Sequence, residues 1–284
     1  MKLLRYGEKG KEKPGVLDAM GNIRDLSNEI SDIAGKNLLP EQIKKLTKIN
    51  IDKLPKINSD VRLGPCVGQI GKFICIGLNY SDHAAETGAT IPKEPIVFSK
   101  MTSAICGPND DIVIPKNSKK TDWEVELGVI IGMGGKYISK KEALNHVAGY
   151  CVINDVSERE YQLEHCGQWV KGKSCDTFGP IGPWLVTSDE VIDPQNLDLW
   201  LEVDEHLYQH SNTNKMVFTV SNLVSYLSQF FTLYPGDVIS TGTPPGVGLG
   251  IKPEPIFLKP GQSIRLGITG LGEQRQKTVA EILL

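Results

Sequence analysis

Residues 121–132 read TDWEVELGVIIG, an acidic start that runs into an apolar strand. Side chains alternate between the two faces of a strand, so Glu124 and Glu126 should point the same way, and Asp122 falls in the same alternation. Two carboxylates beside an apolar run repel each other and are costly to desolvate, but a hard divalent cation with oxygen ligands reverses that balance. The stretch therefore predicts either a metal site at the start of an interior strand or an exposed polar face on an edge strand.

A third carboxylate, Asp155, ends a second apolar strand, YCVIND, just before a predicted helix that a Ser-x-x-Glu capping box opens at Ser157. A carboxylate at such a place can bind a ligand or simply cap the helix, and both interpretations stay open here. Arg159 and Gln162 lie three positions apart, so they share one face of that helix. This face could reach an anionic substrate or face solvent.

Four further side chains are candidates for catalysis or binding. His83 and Glu86 share a face of a short predicted helix, SDHAAET, and a carboxylate beside an imidazole suits a general base, although such pairs also occur by chance. Lys173, in VKGKSCDTFG, could offset developing negative charge or be an ordinary surface lysine. Thr243 stands in the glycine- and proline-rich loop GTPPGVGLG, whose backbone N–H groups could hold a carboxylate.

Composition and motif content exclude several classes of function. With 284 residues, 40% of them hydrophobic and 23% charged, the chain has globular composition, and a net charge of −3 lacks the footprint of a nucleic-acid binder. No apolar run is long enough to span a membrane, and the charged start MKLLRYGEKG does not resemble a signal peptide. Six cysteines without C-x-x-C spacing predict buried free thiols in a reducing cytosol, so we expect a cytoplasmic protein. P-loop, nicotinamide-binding and G-x-S-x-G motifs are absent.

The pattern of elements predicts an α+β, β-rich catalytic domain over residues 71–284. Strands are predicted at KFICIGL, DIVIP, WEVELGVIIG, YCVIND and DVISTGT, with a C-terminal hairpin, a helix at KKEALNHVA and a helix carrying an apolar stripe from Leu223 to Phe231. Residues 1–70 predict a small N-terminal α/β module and linker. This module has three short strands and a helix at PEQIKKLTKI that begins at a proline.

Six stretches, taken in order, resemble the fumarylacetoacetate hydrolase family over about residues 72–284. They are GKFICIGLNYSDHAAE, SAICGPNDDIVIP, TDWEVELGVIIG, GYCVINDVSERE, KGKSCDTFGPIGPW and GDVISTGTPPGVG. The N-terminal segment resembles a subset labelled ureidoglycolate lyase or 2,4-diketo-3-deoxy sugar-acid hydrolase. The resemblance implies a β-roll core, a homodimer and a site for Mg²⁺ or Mn²⁺.

The resemblance also implies roles for individual residues. It makes Glu124, Glu126 and Asp155 the metal ligands, His83 and Glu86 the dyad that activates water, Lys173 the lysine that stabilises an enolate or oxyanion, and Arg159, Gln162 and Thr243 the substrate contacts. Fumarylacetoacetases proper carry a fourth carboxylate near the position of Asn79, so asparagine there implies the three-carboxylate site of smaller relatives. Asp122 is an extra acid to which the resemblance gives no role.

The activity that the resemblance implies is metal-dependent hydrolysis of a C–C bond. The substrate would be a small 2,4-dioxo acid, either an acylpyruvate or a 2,4-diketo-3-deoxy sugar acid, and the product pyruvate or a related keto acid. The same site could instead serve a ureidoglycolate lyase, an oxaloacetate decarboxylase or an enol–keto isomerase. A catalytically silent binding module is the alternative from a different class. No nucleic-acid or membrane partner is expected.

Overall fold

The structure is a computed structural model that describes residues 1–82 and 90–282. No helix within those ranges is long and apolar enough to cross a bilayer. The α-helices that lie within them are α1 (Pro40–Leu46), α2 (Val170–Lys173) and α3 (Val220–Phe230). The strands are β1 (Lys2–Tyr6), β2 (Lys13–Leu17), β3 (Ile23–Asp25), β4 (Phe73–Gly77), β5 (Ile96–Lys100), β6 (Ile105–Cys106), β7 (Ile112–Ile114), β8 (Thr121–Asp122), β9 (Val125–Ile131), β10 (Val147–Asn154), β11 (Ser157–Glu158), β12 (Gly179–Thr187), β13 (Asp198–Val203), β14 (His206–Asn212), β15 (Val238–Ser240), β16 (Ser263–Ile268) and β17 (Gly272–Ala280).

A ten-stranded sheet carries the acidic residues near its middle. Its order is β3-β2-β1-β12-β10-β9-β15-β4-β5, with β6 pairing to β12 beside this path. The central strands β9 and β10 run antiparallel and are buried along their whole length. Burial on both faces explains why their sequences are apolar almost throughout instead of alternating.

A second, five-stranded sheet has the order β14-β13-β16-β17-β7. Its inward residues, among them Leu199, Leu201 and Leu266, share one hydrophobic core with Val129 and Val152 of the first sheet. A small pair, β8 with β11, stands beside them. The predominance of strands confirms the β-rich α+β class, while the description of the core as a roll stays a prediction.

The N-terminal segment is joined to the large sheet through its first strand. β1 pairs antiparallel with β12, with Leu3 opposite Leu185, and β2 and β3 continue outward from it. Helix α1 begins at Pro40, as the sequence predicted. The division into domains at residues 70 and 71 stays a prediction.

Three local predictions were wrong in detail. The strand at WEVELGVIIG is interrupted, since Trp123 and Glu124 lie between β8 and β9. Ser157 does not cap a helix, because it lies in β11 opposite Asp122 and donates its Oγ hydrogen to the carbonyl of Asp155. A π-helix (Glu160–Glu164) follows without a side-chain cap. The helix at KKEALNHVA is reduced to a 3-10 turn, Ala143–His146, because β10 begins directly after it.

Candidate metal centre and cavity

Three buried carboxylates meet where β9 and β10 lie side by side. Glu126 is in β9, Glu124 directly precedes β9, and Asp155 directly follows β10; the antiparallel register sets Val125 opposite Asn154. Oxygen atoms of the three carboxylates lie within 4.8 Å of one another. We call Glu124, Glu126 and Asp155 the acidic triad. The structure therefore brings together the three acids that the sequence singled out.

Two buried lysines balance part of the triad's charge. Lys173, at the end of α2, places Nζ 2.7 Å from Glu124 Oε2 and 2.9 Å from Asp155 Oδ2. Lys100, at the end of β5, places Nζ 2.6 Å from Asp155 Oδ1 and donates to the carbonyls of Val156 and Lys173 at 2.9 and 2.6 Å. Burial would lower the pKa of Lys173, but Asp155 and Glu124 outweigh it and raise that pKa above its usual value.

Glu124 and Glu126 have opposite electrostatic environments. Burial would raise the pKa of Glu124, yet Lys173 and Arg159 lower it below the usual value. Burial, then repulsion from Asp155 and Glu124, raises the pKa of Glu126 well above its usual value. Glu126 Oε2 accepts hydrogen bonds from Ser240 Oγ and from the backbone N–H of Gly242, the latter at 2.9 Å.

The donor set of the triad fits a divalent cation. All three groups offer carboxylate oxygen, which Mg²⁺ and Mn²⁺ prefer. Asp155 Oδ1 lies 2.6 Å from Lys100 Nζ but accepts no hydrogen bond from the residues described. Four carboxylates, counting Asp122, lie among three cations, Lys100, Arg159 and Lys173, and the raised pKa of Glu126 reflects its burial and the repulsion that remains among these acids. A doubly charged ion would relieve this repulsion.

Arg159 and Gln162 lie beside the triad, buried, not on a solvated helix face. Arg159 Nη2 is 2.7 Å from Glu124 Oε1 and 2.8 Å from Asp122 Oδ2, and its Nη1 donates to Gln162 Oε1 at 3.0 Å. These anions outweigh burial and raise the pKa of Arg159 above its usual value, so it stays charged. Asp122 contacts Arg159, and it is not a member of the triad.

A cavity of about 390 Å³ is lined by two members of the triad, Glu124 and Glu126. Arg159, Gln162 and Lys173 line it beside these carboxylates, Lys252 is a further charged lining residue, and most of the remaining lining is apolar. Phe98 and Trp169 pack edge to face with ring centroids 5.3 Å apart, and Lys173 Nζ lies 5.1 Å from the Phe98 ring. The other apolar lining residues are Ile76, Leu78, Leu163, Val247 and Leu249.

Thr243 and Asn79 are held by neighbouring groups. Thr243 lines the cavity, but its Oγ1 donates to the carbonyl of Val125 at 3.0 Å and accepts from Gln209 Nε2 at 2.9 Å. Asn79 donates to the carbonyls of Phe218 and Thr241 and accepts from the Phe218 N–H, so it ties three backbone groups together. Asn79 therefore offers nothing to the triad.

The predicted dyad of His83 and Glu86 lies outside the described residues, as does most of the helix predicted at SDHAAET. Lys100 is the main functional residue that sequence reasoning missed. One lysine after the alternating strand IVFS is typical of an exposed strand end, and no local pattern signals its burial.

Comparison with known proteins agrees with this geometry. The family model described as "Fumarylacetoacetate (FAA) hydrolase C-terminal" matches residues 72–279. A Burkholderia ambifaria protein named "Putative hydrolase" is 66% identical over 98% of this chain and 99% of its own length. The fumarylacetoacetate hydrolase of Exiguobacterium antarcticum has a TM-score of 0.87 at 35% identity, covering 99% of this chain and all of its own.

A third relative was solved with ligands. Maleylpyruvate hydrolase from Sphingobium sp. SYK-6, in complex with manganese(II) and pyruvate, has a TM-score of 0.83 at 28% identity and covers 99% of this chain and all of its own. The family match spans well over half of the sequence, and the chain belongs to the fumarylacetoacetate hydrolase family.

Proposed function

We propose that this protein is a divalent-metal-dependent hydrolase that cleaves the C3–C4 bond of an acylpyruvate and releases pyruvate. The observation that carries the proposal is the acidic triad, two members of which line a cavity whose remaining lining is largely apolar. The maleylpyruvate hydrolase that holds manganese and pyruvate supports both the metal and the keto-acid product.

The triad would hold the ion, and the cations beside it would help to bind the substrate. When bound, Mg²⁺ or Mn²⁺ supplies a Lewis acid for the 1-carboxylate and 2-oxo oxygen of an α-keto acid. Arg159 and Gln162 line the same end of the cavity, and Arg159 retains its charge because Asp122 and Glu124 flank it. With a divalent ion bound, the positive charge at this end would outweigh the carboxylates, and an anionic head group would be drawn to it.

The chain's own residues would carry the proton transfers and the charge stabilisation. His83, oriented by Glu86, would take a proton from the water that attacks the C4 carbonyl. Lys173 would offset negative charge on the C4 oxygen, a role typically worth about 3 kcal/mol. The C3–C4 bond then breaks, C4 becomes a carboxylic acid, and C3 of the departing pyruvate gains a proton.

The cavity wall favours an apolar acyl group over a sugar acid. Phe98, Trp169 and Leu249 line the space beyond the charged end. A hydroxylated chain against these side chains would give up hydrogen bonds to water, and Lys252, also among the lining residues, could replace few of them, so each unpaired group costs free energy. The same argument disfavours ureidoglycolate, whose amide groups would meet this wall. An acyl chain of hydrocarbon character would be stabilised by burial.

The test is turnover by the purified protein with Mn²⁺ or Mg²⁺ and a panel of acids. Acylpyruvates should release pyruvate, measured with lactate dehydrogenase and NADH, and chelation with EDTA should stop the reaction. Urea and glyoxylate from ureidoglycolate, or pyruvate from oxaloacetate alone, would contradict the proposal in favour of a lyase or a decarboxylase. No turnover of any of these acids, with tight metal binding, would favour a silent binding module. A homodimer in the cytoplasm stays a prediction, and light scattering tests the dimer.

A further inference from the structure

Asp122 accepts hydrogen bonds on both of its carboxylate oxygens from several parts of the chain. It is fully buried, and Oδ1 accepts from the backbone N–H groups of Trp123 and Gly248 at 2.8 and 2.6 Å. Oδ2 accepts from the N–H of Leu249 at 3.0 Å and from Arg159 Nε at 2.8 Å. An ionised carboxylate has about four acceptor sites, so this one is saturated.

These partners belong to two different parts of the site. Arg159 reaches from Asp122 to Glu124 of the triad, and it also bonds Gln162. Gly248 and Leu249 belong to loop 246–250, which supplies part of the cavity's apolar wall. One buried carboxylate therefore touches both the triad's neighbour and the wall.

Loop 246–250 is packed tightly against Asp122. A Cβ added at Gly248 would lie 2.8 Å from Asp122 Oδ1 and 2.0 Å from the carbonyl oxygen of Ile256, so only glycine fits. Trp123 adds a second tie, because its Nε1 donates to the carbonyl of Gly246 at 3.1 Å. The position of the Leu249 wall is thus set by the residues that begin the TDWEVE stretch.

We propose that Asp122 is a positioning residue that fixes loop 246–250 relative to Arg159 and so sets the size of the acyl group the site accepts. This inference rests on the proposed function. Hydrogen bonds to an ionised acceptor are roughly twice as strong as neutral ones, so a neutral amide would hold the loop and Arg159 less well. The triad keeps its own contacts in that case.

The first experiment compares Asp122→Asn with Glu158→Gln. Glu158 is an equally buried carboxylate in the neighbouring β11, but it bonds Ser118 and Thr121 and lines no part of the cavity. In Asp122→Asn the KM for 2,4-dioxooctanoate should rise by about tenfold or more, because a displaced apolar wall loses contact with several methylene groups. The KM for 2,4-dioxopentanoate should rise by less, since this acid shares the contact with Arg159 but not the contact with the wall, and the Mn²⁺ affinity should change by less than about threefold because the triad keeps its own contacts.

The control and a second variant decide the interpretation. Glu158→Gln should leave both KM values unchanged, and Leu249→Ala should reproduce the loss for the longer acid only. Equal effects of Asp122→Asn on both acids, or a loss confined to Mn²⁺ affinity, would overturn the proposal. If Asp122→Asn does not fold, an unchanged ratio of the two KM values in Leu249→Ala would overturn it as well.

Hydrogen exchange separates this inference from the proposed function. If the wild-type protein hydrolyses no acylpyruvate, the proposed function fails, but the hydrogen bonds from Gly248 and Leu249 to Asp122 can still be measured. The amide protons of Gly248 and Leu249 should exchange about tenfold faster in Asp122→Asn than in Glu158→Gln, since the charged acceptor of both N–H groups is lost. Equal exchange in the two variants would show that Asp122 does not hold the loop.

Discussion

Lys100 shows at the scale of a single residue how much of this site depends on burial. Its side chain is fully buried, and its ammonium group lies between Asp155 and two backbone carbonyls. The positive charge of Lys100 offsets the repulsion among the carboxylates of the triad. Its hydrogen bond to the carbonyl of Lys173 also connects β5 to the end of α2. Local sequence cannot reveal this role, because the three partners come from segments more than fifty residues away.

We expect Lys100→Met to destabilise the metal-free protein by roughly 3–5 kcal/mol, since it leaves Asp155 as a buried charge with one partner fewer. Mn²⁺ should stabilise this variant more than the wild type, because the ion replaces part of the missing positive charge. Urea unfolding in EDTA and in Mn²⁺ measures both effects. Lys277→Met, at an exposed position of β17, is the control and should change the free energy of unfolding by less than about 0.5 kcal/mol. Wild-type stability of Lys100→Met in EDTA would refute the assigned role.

His83→Ala should bind Mn²⁺ as the wild type does and lose hydrolysis, because the predicted role of His83 is proton transfer, to which metal binding makes no contribution. General-base catalysis typically contributes about 10²–10⁴-fold, so kcat should fall by an amount in this range. Titration with Mn²⁺ followed by electron paramagnetic resonance, together with pyruvate release, checks both halves. Turnover at the wild-type rate would show that another group activates the water.

The three acids of the triad could be picked out from individual positions in the sequence, whereas the contacts of Asp122 could not. Alternation along the predicted strand put Glu124 beside Glu126, and the end of another predicted strand singled out Asp155; the structure brings the three carboxylates together, and their role as metal ligands stays a prediction. Asp122 does lie near Glu124, since both contact Arg159 Nη2, but the strand is interrupted after Asp122 and its carboxylate bonds Arg159 and loop 246–250 and takes no part in the triad. A break of two residues leaves no signal in an otherwise regular pattern.

At the scale of elements, the buried strands were the most predictable part of the fold. The runs that became β4, β9, β10 and β15 are apolar and bounded by turn residues. Helix α3, capped by Thr219, buries Leu223, Val224 and Leu227 of the predicted stripe, whereas Phe230 is exposed and Phe231 follows the helix. The Ser157 prediction failed because pairing with β8 competes with helix capping for the same backbone groups. The outcome depends on whether a partner strand is available for pairing, and a local sequence motif carries no information about that partner.

The turn after β15 places a backbone donor on the triad, and Gly242→Ala tests it. Gly242 has a φ of +98° and donates to Glu126, and a Cβ there would lie 2.8 Å from Cβ of Asn79. Gly261 has a φ of +95° with open space around it, so Gly261→Ala reports backbone strain alone. We expect Gly242→Ala to cost at least about 1 kcal/mol more stability than Gly261→Ala, and to weaken Mn²⁺ binding where Gly261→Ala does not. Equal effects in thermal unfolding and metal titration would contradict the role of this turn.

At the scale of the whole molecule, the site depends on the order of strands in the large sheet. β15 lies between β9 and β4, which brings Ser240 beside Gly128 and Cys75 although these residues are far apart in the chain. The sequence predicted the strands but not this order, because pairing across such distances has no local signature. The resemblance to a known family did not supply this order either, since it implied a β-roll core without an order of strands.

The central claim is that Glu124, Glu126 and Asp155 together bind one divalent cation per chain. The most direct test is Mn²⁺ binding measured by electron paramagnetic resonance on wild-type protein and on Glu126→Gln, with Glu158→Gln as a matched buried control. The account predicts one tightly bound Mn²⁺ in the wild type and the control, and loss of that site in folded Glu126→Gln. Mn²⁺ binding by Glu126→Gln with wild-type affinity and stoichiometry would contradict it.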